Sequence, residues 1–404
     1  MNRFALSVSS AIARVTESAL GPYQTAIVRI GFSATWLMFL LREFPHRAEL
    51  YGPGGPWSWD DAQQLIAVNH AFSALMWSDG RPWFEIVYLL AVLTSVLLLL
   101  GWRTRTMSVL FMIGVLSLQN RSVFVGDGGD NVLHLMSIYL VFTRCGQVWS
   151  LDARRARRAA EARARGEQVA DRVGPALWAV LGFALVAVTA GGRFDGVDAT
   201  VPVIVYAVWV ALAVRWVVGR RAKSEEPRIL LDVVGNVVHN GAVLVIMAEA
   251  CLIYATAGWY KIQGTRWQDG TAVYYPLHLD YFSPWPALAD LLSSSGTMVM
   301  LVTYGTVIVQ VAFPFTLFNR RVKNVLLAVM MTEHAVIAVV LGLPFFSLAM
   351  ITADSVFLPT SFLRRLGGWA ARARDRVLAR GGRVPVPGPR VPENPEPAPA
   401  STTA

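Results

Sequence analysis

Between Tyr23 and Leu358 the chain returns again and again to apolar runs of about twenty residues, none alternating with the two-residue period of a strand. Wound as a helix, a run of that length matches the ~30 Å hydrocarbon core of a bilayer, where a backbone must satisfy its own hydrogen bonds. The expected fold class is therefore all-α, a polytopic bundle of membrane helices with interfacial helices at its edges. Composition agrees, with 54% hydrophobic residues against 16% charged.

About ten membrane segments are expected, at roughly 23–44, 83–101, 106–125, 131–149, 174–190, 199–218, 236–258, 297–318, 324–342 and 345–359. The segment at 199–218 could pair with the one before it as a hairpin. Alternate loops carry the positive charge: Arg103 and Arg105, the run from Arg144 to Arg172, Arg220 to Arg228, Arg320 to Lys323, and Arg364 onwards. By the positive-inside rule these loops, and both termini, are expected on the cytoplasmic side of a cell membrane. Topology thus accounts for the formal charge of +9 without nucleic acid as a partner. The bilayer is the expected partner, and oligomeric state is not legible.

The chain divides on this reading into four parts. Residues 1–20 space Phe4, Val8, Ile12, Val15 and Ala19 along one helical face, with Arg14 and Glu17 interrupting; this describes an amphipathic surface helix, not a cleavable signal peptide. Residues 21–360 form the membrane domain, 361–382 a basic cytoplasmic helix, and 383–404 a Pro-rich tail unable to bury a core. The opposite-face loops, 45–82, 120–130, 191–198 and 259–296, are poor in Arg and Lys and rich in Trp, Tyr, Pro, Gly and Asp. After the GPGGPW turn, Asp60 to Trp77 carries helical spacing at Leu65, Val68, Phe72 and Leu75. A re-entrant or interfacial helix is expected there. Cys145 and Cys251 lie in dissimilar settings, so no disulfide is expected, and no spacing suits a metal.

Three groups of polar residues interrupt the apolar runs. In SLQNRSVFVGDGGDNVLHLMSIYLVF, Gln119, Asn120 and Arg121 end one segment, Gly126 to Gly129 turn, and Asp130 and Asn131 stand where the next helix is capped. A satisfied turn, with Asp130 capping and Arg121 paired to Asp127, competes with a binding site. Around Lys261 lie Arg266, Trp267, Asp269, Tyr274 and Tyr275. A snorkelling lysine in an aromatic belt competes with a base, since an amine is costly to charge where it is desolvated. Thr332, Glu333 and His334 interrupt a third run; a Glu–His pair there serves either structure or a proton path. Arg29 with Glu249, and Asp232 with a nearby arginine, suggest buried ion pairs without chemistry.

Three stretches, the GDGGDN turn, AGWYKIQGTRWQDGTAVYY and EHAVIAVVLGLPFFSLAMI, resemble the HTTM membrane domain shared by vitamin K-dependent γ-glutamyl carboxylases and many bacterial proteins. The resemblance covers about residues 20–360. It implies that Lys261, after Ala257 and Gly258 and before Trp267, is the base that deprotonates reduced vitamin K or menaquinol. Oxygen then converts the quinol into a strong base, a γ-proton leaves glutamate, the carbanion captures CO₂, and no metal takes part. The family's helix-start Asn-Asn-His group is met here by Asp130 and Asn131, with His134 displaced, and its late membrane histidine by His334. Lys261, Asn131 and His334 are accordingly the expected catalytic residues, and Asn120, Arg121, Asp130, His134, Trp267 and Tyr274 the expected substrate or cofactor contacts.

The large lumenal domain with which the animal enzymes hold a propeptide has no counterpart in the sequence, so processive carboxylation of a protein is not expected. An alternative reading is a non-carboxylating membrane factor for maturation or export of a secreted peptide; a third is a structural membrane protein. Carboxylase chemistry predicts an apolar, quinol-sized cavity opening to the lipid, with the Lys261 amine on its wall and few carboxylates nearby. The peptide reading predicts an outer groove, and the structural one a lysine pointing into bulk water.

Overall fold

The computed structural model describes residues 3–167 and 170–381, and among them every regular element is a helix. The Pro-rich stretch expected to be disordered, 383–404, lies outside the described residues. The chain forms two units, residues 1–360 and 361–404. Along the first run α1 (Arg3–Glu17), α2 (Pro22–Glu43), α3 (Arg47–Tyr51), α4 (Trp59–Asn69), α5 (Arg81–Leu100), α6 (Thr104–Arg121), α7 (Gly128–Val141), α8 (Leu151–Ala164), α9 (Val173–Ala190) and α10 (Thr200–Arg221). The 38-residue α11 (Glu226–Gln263) follows, then the short α12 (Thr265–Gln268), α13 (Tyr274–Leu277) and α14 (Pro286–Ser293), and finally α15 (Gly296–Ala312), α16 (Arg320–Val340) and α17 (Pro344–Asp354). The described residues of the second unit, 361–381, all lie in α18 (Thr360–Gly381).

Among the described residues seven helices are long and apolar enough to cross a membrane: Pro22–Tyr51, α5, α9, α10, α11, Gly296–Thr316 and α16. The segments expected at 106–125, 131–149 and 345–359 are not among these seven. α6 is buried along most of its length and turns Thr104, Ser108, Ser117 and Arg121 into the protein, which a lipid-facing span could not do. α7 stops at Val141, eight residues short of expectation. There Arg144 is drawn to α11, its backbone N–H donating to His239 Nδ1 (2.8 Å) and its guanidinium to Asn236 Oδ1 (2.8 Å) and Asp232 Oδ1 (2.9 Å). α17 has only 11 residues. The helix expected over Asp60–Trp77 breaks at His70, whose φ of 50° no helix accommodates.

Inside lipid, burying an apolar side chain gains little over leaving it among acyl chains, so packing contacts and polar bonds set the arrangement. One core joins α2, α5, α6, α7, α11, α16 and α17 through Phe32, Trp36, Tyr88, Phe111, Met136, Tyr254, Met330 and Ala353. α9 and α10, in contrast, pair as a hairpin with largely exposed outer faces. Trp178 and Trp209 stack at 4.5 Å, and each indole N–H donates to the other's backbone carbonyl. α1 is tied to α11 by Asn236 and Asn240, whose side-chain amides donate to the carbonyls of Thr16, Val15 and Ser18.

Arg29 of α2 is fully buried. It does not pair with Glu249. Its guanidinium donates to the carbonyls of Leu98 and of Leu99 (2.7 Å) at the C-terminus of α5, and to those of Trp149 (2.8 Å) and Cys145 (3.2 Å) beyond α7. Helix C-termini leave carbonyls without intrahelical partners and carry partial negative charge, so a cation there needs no carboxylate. Gly101 ends α5 with φ 71°, and a Cβ on it would lie 2.3 Å from Ser150 Cβ and 3.0 Å from Arg29 Nη1. Only glycine fits both the backbone and the space.

Replacing Arg29 by Met should cost about 3 kcal/mol, because buried carbonyls lose their donor. An unchanged melting temperature in detergent would remove Arg29 from this role. On the loop before α9, Arg103 grips Asp171 bidentately (2.6 and 2.5 Å) and holds its carboxyl down at about 2. A depressed carboxylate stabilises above its unfolded pKa of about 4 and loses that contribution as pH falls through the folded value. Half-exposed Asp171 should therefore contribute about 0.5 kcal/mol at neutral pH. Hydrogen exchange at the start of α9 should accelerate between about pH 4 and pH 2, and Asp171→Asn should abolish that pH dependence.

Candidate functional site

The C-terminal stretch of α11 places Ala250, Tyr254, Gly258 and Lys261 along one face, at helical spacing. Gly258 allows α15 to approach: a Cβ there would lie 2.5 Å from Val311 Cγ2. That contact brings Lys261 against Gln310. α11 then ends at Gly264, whose extended backbone (φ −79°, ψ 126°) turns the chain into α12 and folds Trp267 back under the amine. Lys261 Nζ lies 5.2 Å from the Trp267 ring centroid, within cation–π range.

Lys261 Nζ donates to Gln310 Oε1 (2.7 Å), and Gln310 Nε2 donates to Glu333 Oε1 (3.0 Å). The amide is oriented by both neighbours, its carbonyl toward the amine and its NH₂ toward the carboxyl. Thr306 lines the same cavity. The amine does not point into bulk water: it forms part of the wall of a cavity of about 740 Å³ among α11, α15 and α16. Apart from this chain the wall is mostly apolar, with Val299, Val302, Val309, Val329, Ile337 and Phe346.

Glu333 and His334 are not a pair, because consecutive helical residues point about 100° apart. His334 turns to Tyr254, whose hydroxyl lies 3.1 Å from His334 Nε2 and donates to Asp354 Oδ2 at 2.9 Å. With the tyrosine hydrogen given to Asp354, Nε2–H is the donor to the phenol oxygen, and Nδ1 keeps a bare lone pair. Three polar atoms around this triad are buried without a hydrogen-bond partner among the described residues: His334 Nδ1, Asp354 Oδ1 and Ser347 Oγ.

The GDGGDN turn builds a second cavity, of about 430 Å³, lined by Trp36, Phe39 and Tyr51 on one side and by Gln119, Asn120, Asp127, Asp130, Asn131 and His134 on the other. The N-cap of α7 is Asp127, not Asp130. Its carboxyl accepts from Gly129 N (2.7 Å), while Asp130 Oδ2 accepts from Asp127 N (2.7 Å), a reciprocal capping box. Gln119 bridges His134 Nδ1 (3.1 Å) and the Asp130 carbonyl (3.1 Å), and Asn120 donates to Phe72 O (2.8 Å). α17 stands between the two cavities. Phe346 lines the first, and its Cα would be 2.6 Å from a Cβ on Gly129 at the edge of the second.

The expected site residues therefore divide. Lys261, His334 and Trp267 share the apolar cavity; Asn120, Asp130, Asn131 and His134 share the polar one. Arg121 lines neither: with Asp127 committed to the cap, its guanidinium holds the carbonyls of Gly52 (2.9 Å) and Trp57 (3.0 Å) in the loop between α3 and α4. Tyr274 is exposed and stacks on His278 at 3.9 Å. Sequence reasoning passed over Tyr254, Gln310 and Asp354. The spacing of Tyr254, Gly258 and Lys261, and a lone amide and a lone acid in apolar runs, were the available signals. Comparison with protein-family models, curated proteins and solved structures gives no match.

Changing Tyr254 to Phe removes the hydrogen bonds that join His334 to Asp354 through its hydroxyl. We expect a loss of about 2 kcal/mol, read as a lower midpoint in detergent unfolding. Tyr254→Phe with Asp354→Leu should recover part of it, since an unpaired buried carboxyl costs more than an apolar group; no recovery would contradict the triad.

Proposed function

We propose that this chain is a multi-pass membrane enzyme of the vitamin K-dependent carboxylase type, in which Lys261 takes a proton from a lipid-soluble quinol. The observation that carries the reading is the amine on the wall of a mostly apolar cavity, joined through one neutral amide to Glu333. Around ten membrane-embedded segments, with both termini cytoplasmic in a cell membrane, complete the reading. They follow from the apolar runs and the alternation of basic loops.

Reduced vitamin K or menaquinol fits this wall: the volume lies in the range of small-molecule sites, the Trp267 and Phe346 rings suit a planar ring, and one amine meets a hydroxyl. When bound, such a quinol supplies, with O₂, the strong base that γ-proton abstraction from glutamate and capture of CO₂ require. Lys261 Nζ accepts the hydroxyl proton. Gln310 Oε1 accepts a hydrogen bond from the ammonium formed, and Glu333 balances its charge across the amide without contacting it. Apolar walls exclude the water that would quench a strong base. His334, oriented by Tyr254 and Asp354, offers Nδ1 as a further proton acceptor beside the same cavity.

A second reading, a non-carboxylating factor for maturation or export of a secreted peptide, draws support from Asn131. The resemblance joins this residue to the lysine, yet it lines the polar cavity across α17. One experiment separates the two. The purified protein is given reduced menaquinone or vitamin K, a Glu-containing peptide and labelled CO₂, beside Lys261→Met. The first reading expects quinone epoxide and peptide label from the wild type, reduced at least about 100-fold in the variant. Neither product above the variant's level would sink it in favour of the second.

A further inference from the structure

We infer that the cavity between Trp102 and α8 is a binding site for the phosphate of an anionic membrane lipid. The site lies away from both cavities above and does not depend on the reaction proposed for them. Its volume is about 650 Å³, and four arginines line it, Arg154, Arg155, Arg158 and Arg165, against the single carboxylate of Glu161.

α8 is not a loose basic helix. Ser150 caps it by accepting from Ala153 N (2.9 Å), and its own hydroxyl donates to Gly146 O (2.6 Å). Asp152 N donates to Gly101 O (3.0 Å), while the Asp152 carboxyl accepts from the backbone N–H groups of Arg103 (2.9 Å) and Thr104 (2.8 Å) at the start of α6. The helix is thereby fixed beside the end of α5, and its arginines converge on a defined volume.

The charge in that volume is poorly compensated. Glu161 pairs with Arg157 (3.7 Å), Arg165 with Glu167 (2.9 Å), and Arg155 reaches Asp152 (3.2 Å), whose oxygens already serve α6. Among the described residues neither Arg154 nor Arg158 has an ion-pair partner. Guanidinium groups bind phosphate oxygens through paired, charge-assisted hydrogen bonds. Ala159 and Ala162 leave room for the group.

Position selects a lipid over a free anion. Trp102 directly follows Gly101, the cap of the membrane-length helix α5, and an indole at the end of a span sits at headgroup depth. Trp102 and Leu151 give the cavity an apolar edge on that side, suited to the glycerol and first methylenes of a lipid rather than to a hydrated ion. Basic pockets beside membrane helices hold anionic headgroups by this combination.

The test uses the full chain in nanodiscs of phosphatidylcholine containing a small fraction of phosphatidylglycerol, with co-purifying lipid counted by native mass spectrometry. In Arg154→Gln/Arg158→Gln, retained phosphatidylglycerol should fall more than about tenfold, at about fivefold for each arginine. In Arg157→Gln/Arg163→Gln, which removes the same charge from the same helix outside the cavity, it should change by less than about twofold. Equal losses in the two variants would mean diffuse attraction and overturn the site. Displacement of the lipid by millimolar inorganic phosphate would assign the cavity to a soluble anion and overturn the lipid.

Discussion

A guanidinium without a carboxylate holds the membrane domain together. Arg29 donates to carbonyls at the end of α5 and in the turn after α7, so its charge is balanced by helix-end dipoles. The neighbouring chain is arranged around it: Gly101 lacks a Cβ where Arg29 passes, Ser150 packs there and caps α8, and Asp152 fastens α8 to α6. Four helices thus share one polar knot. In lipid, where apolar contact is not selective, such knots set the register of the bundle.

The same logic orders the rest. Arg144 with Asp232, Asn236 and His239 fixes α7 and α1 onto α11, and Tyr254 with His334 and Asp354 joins α11, α16 and α17. Lys261, Gln310 and Glu333 connect α11, α15 and α16 in turn. Gly258 on α11 and Gly129 on α7 add close approaches, to α15 and α17 respectively. α9 and α10 are held to each other by the stacked Trp178 and Trp209, and Arg215 of α10 donates to the Asp232 carboxyl of α11 (3.1 Å).

Length and hydropathy made the all-helical class and the seven apolar helices legible, because lipid permits so few alternatives. They leave α6, α7 and α17 undecided, since hydropathy cannot separate a helix surrounded by protein from one surrounded by lipid. The residues of the candidate site were legible one by one as polar exceptions in apolar runs. Their grouping was not. Glu333 and His334 are adjacent in sequence and diverge in space, whereas Asn131 and Lys261 are separated by α17, whose placement depends on contacts between Phe346 and Gly129 that no local pattern records. Arg121 and Asp127 likewise form a plausible pair until the cap of α7 claims the carboxylate.

One feature of α11 has a mechanical side. At 38 residues and 1.5 Å each it is about 57 Å long, nearly twice the hydrocarbon thickness. Its N-terminal third is fastened to α1 and Arg144, and its far end carries Lys261. A rod held at one end answers a thinner bilayer by leaning. A lean of about 10° carries a point some 40 Å along the rod sideways by about 7 Å, more than twice the length of the bond to Gln310. For that bond to survive, α15 and α16 must lean with α11 as a single plate. In a bilayer, a change of tilt at the fastened end of α11 would reach the amine at the other.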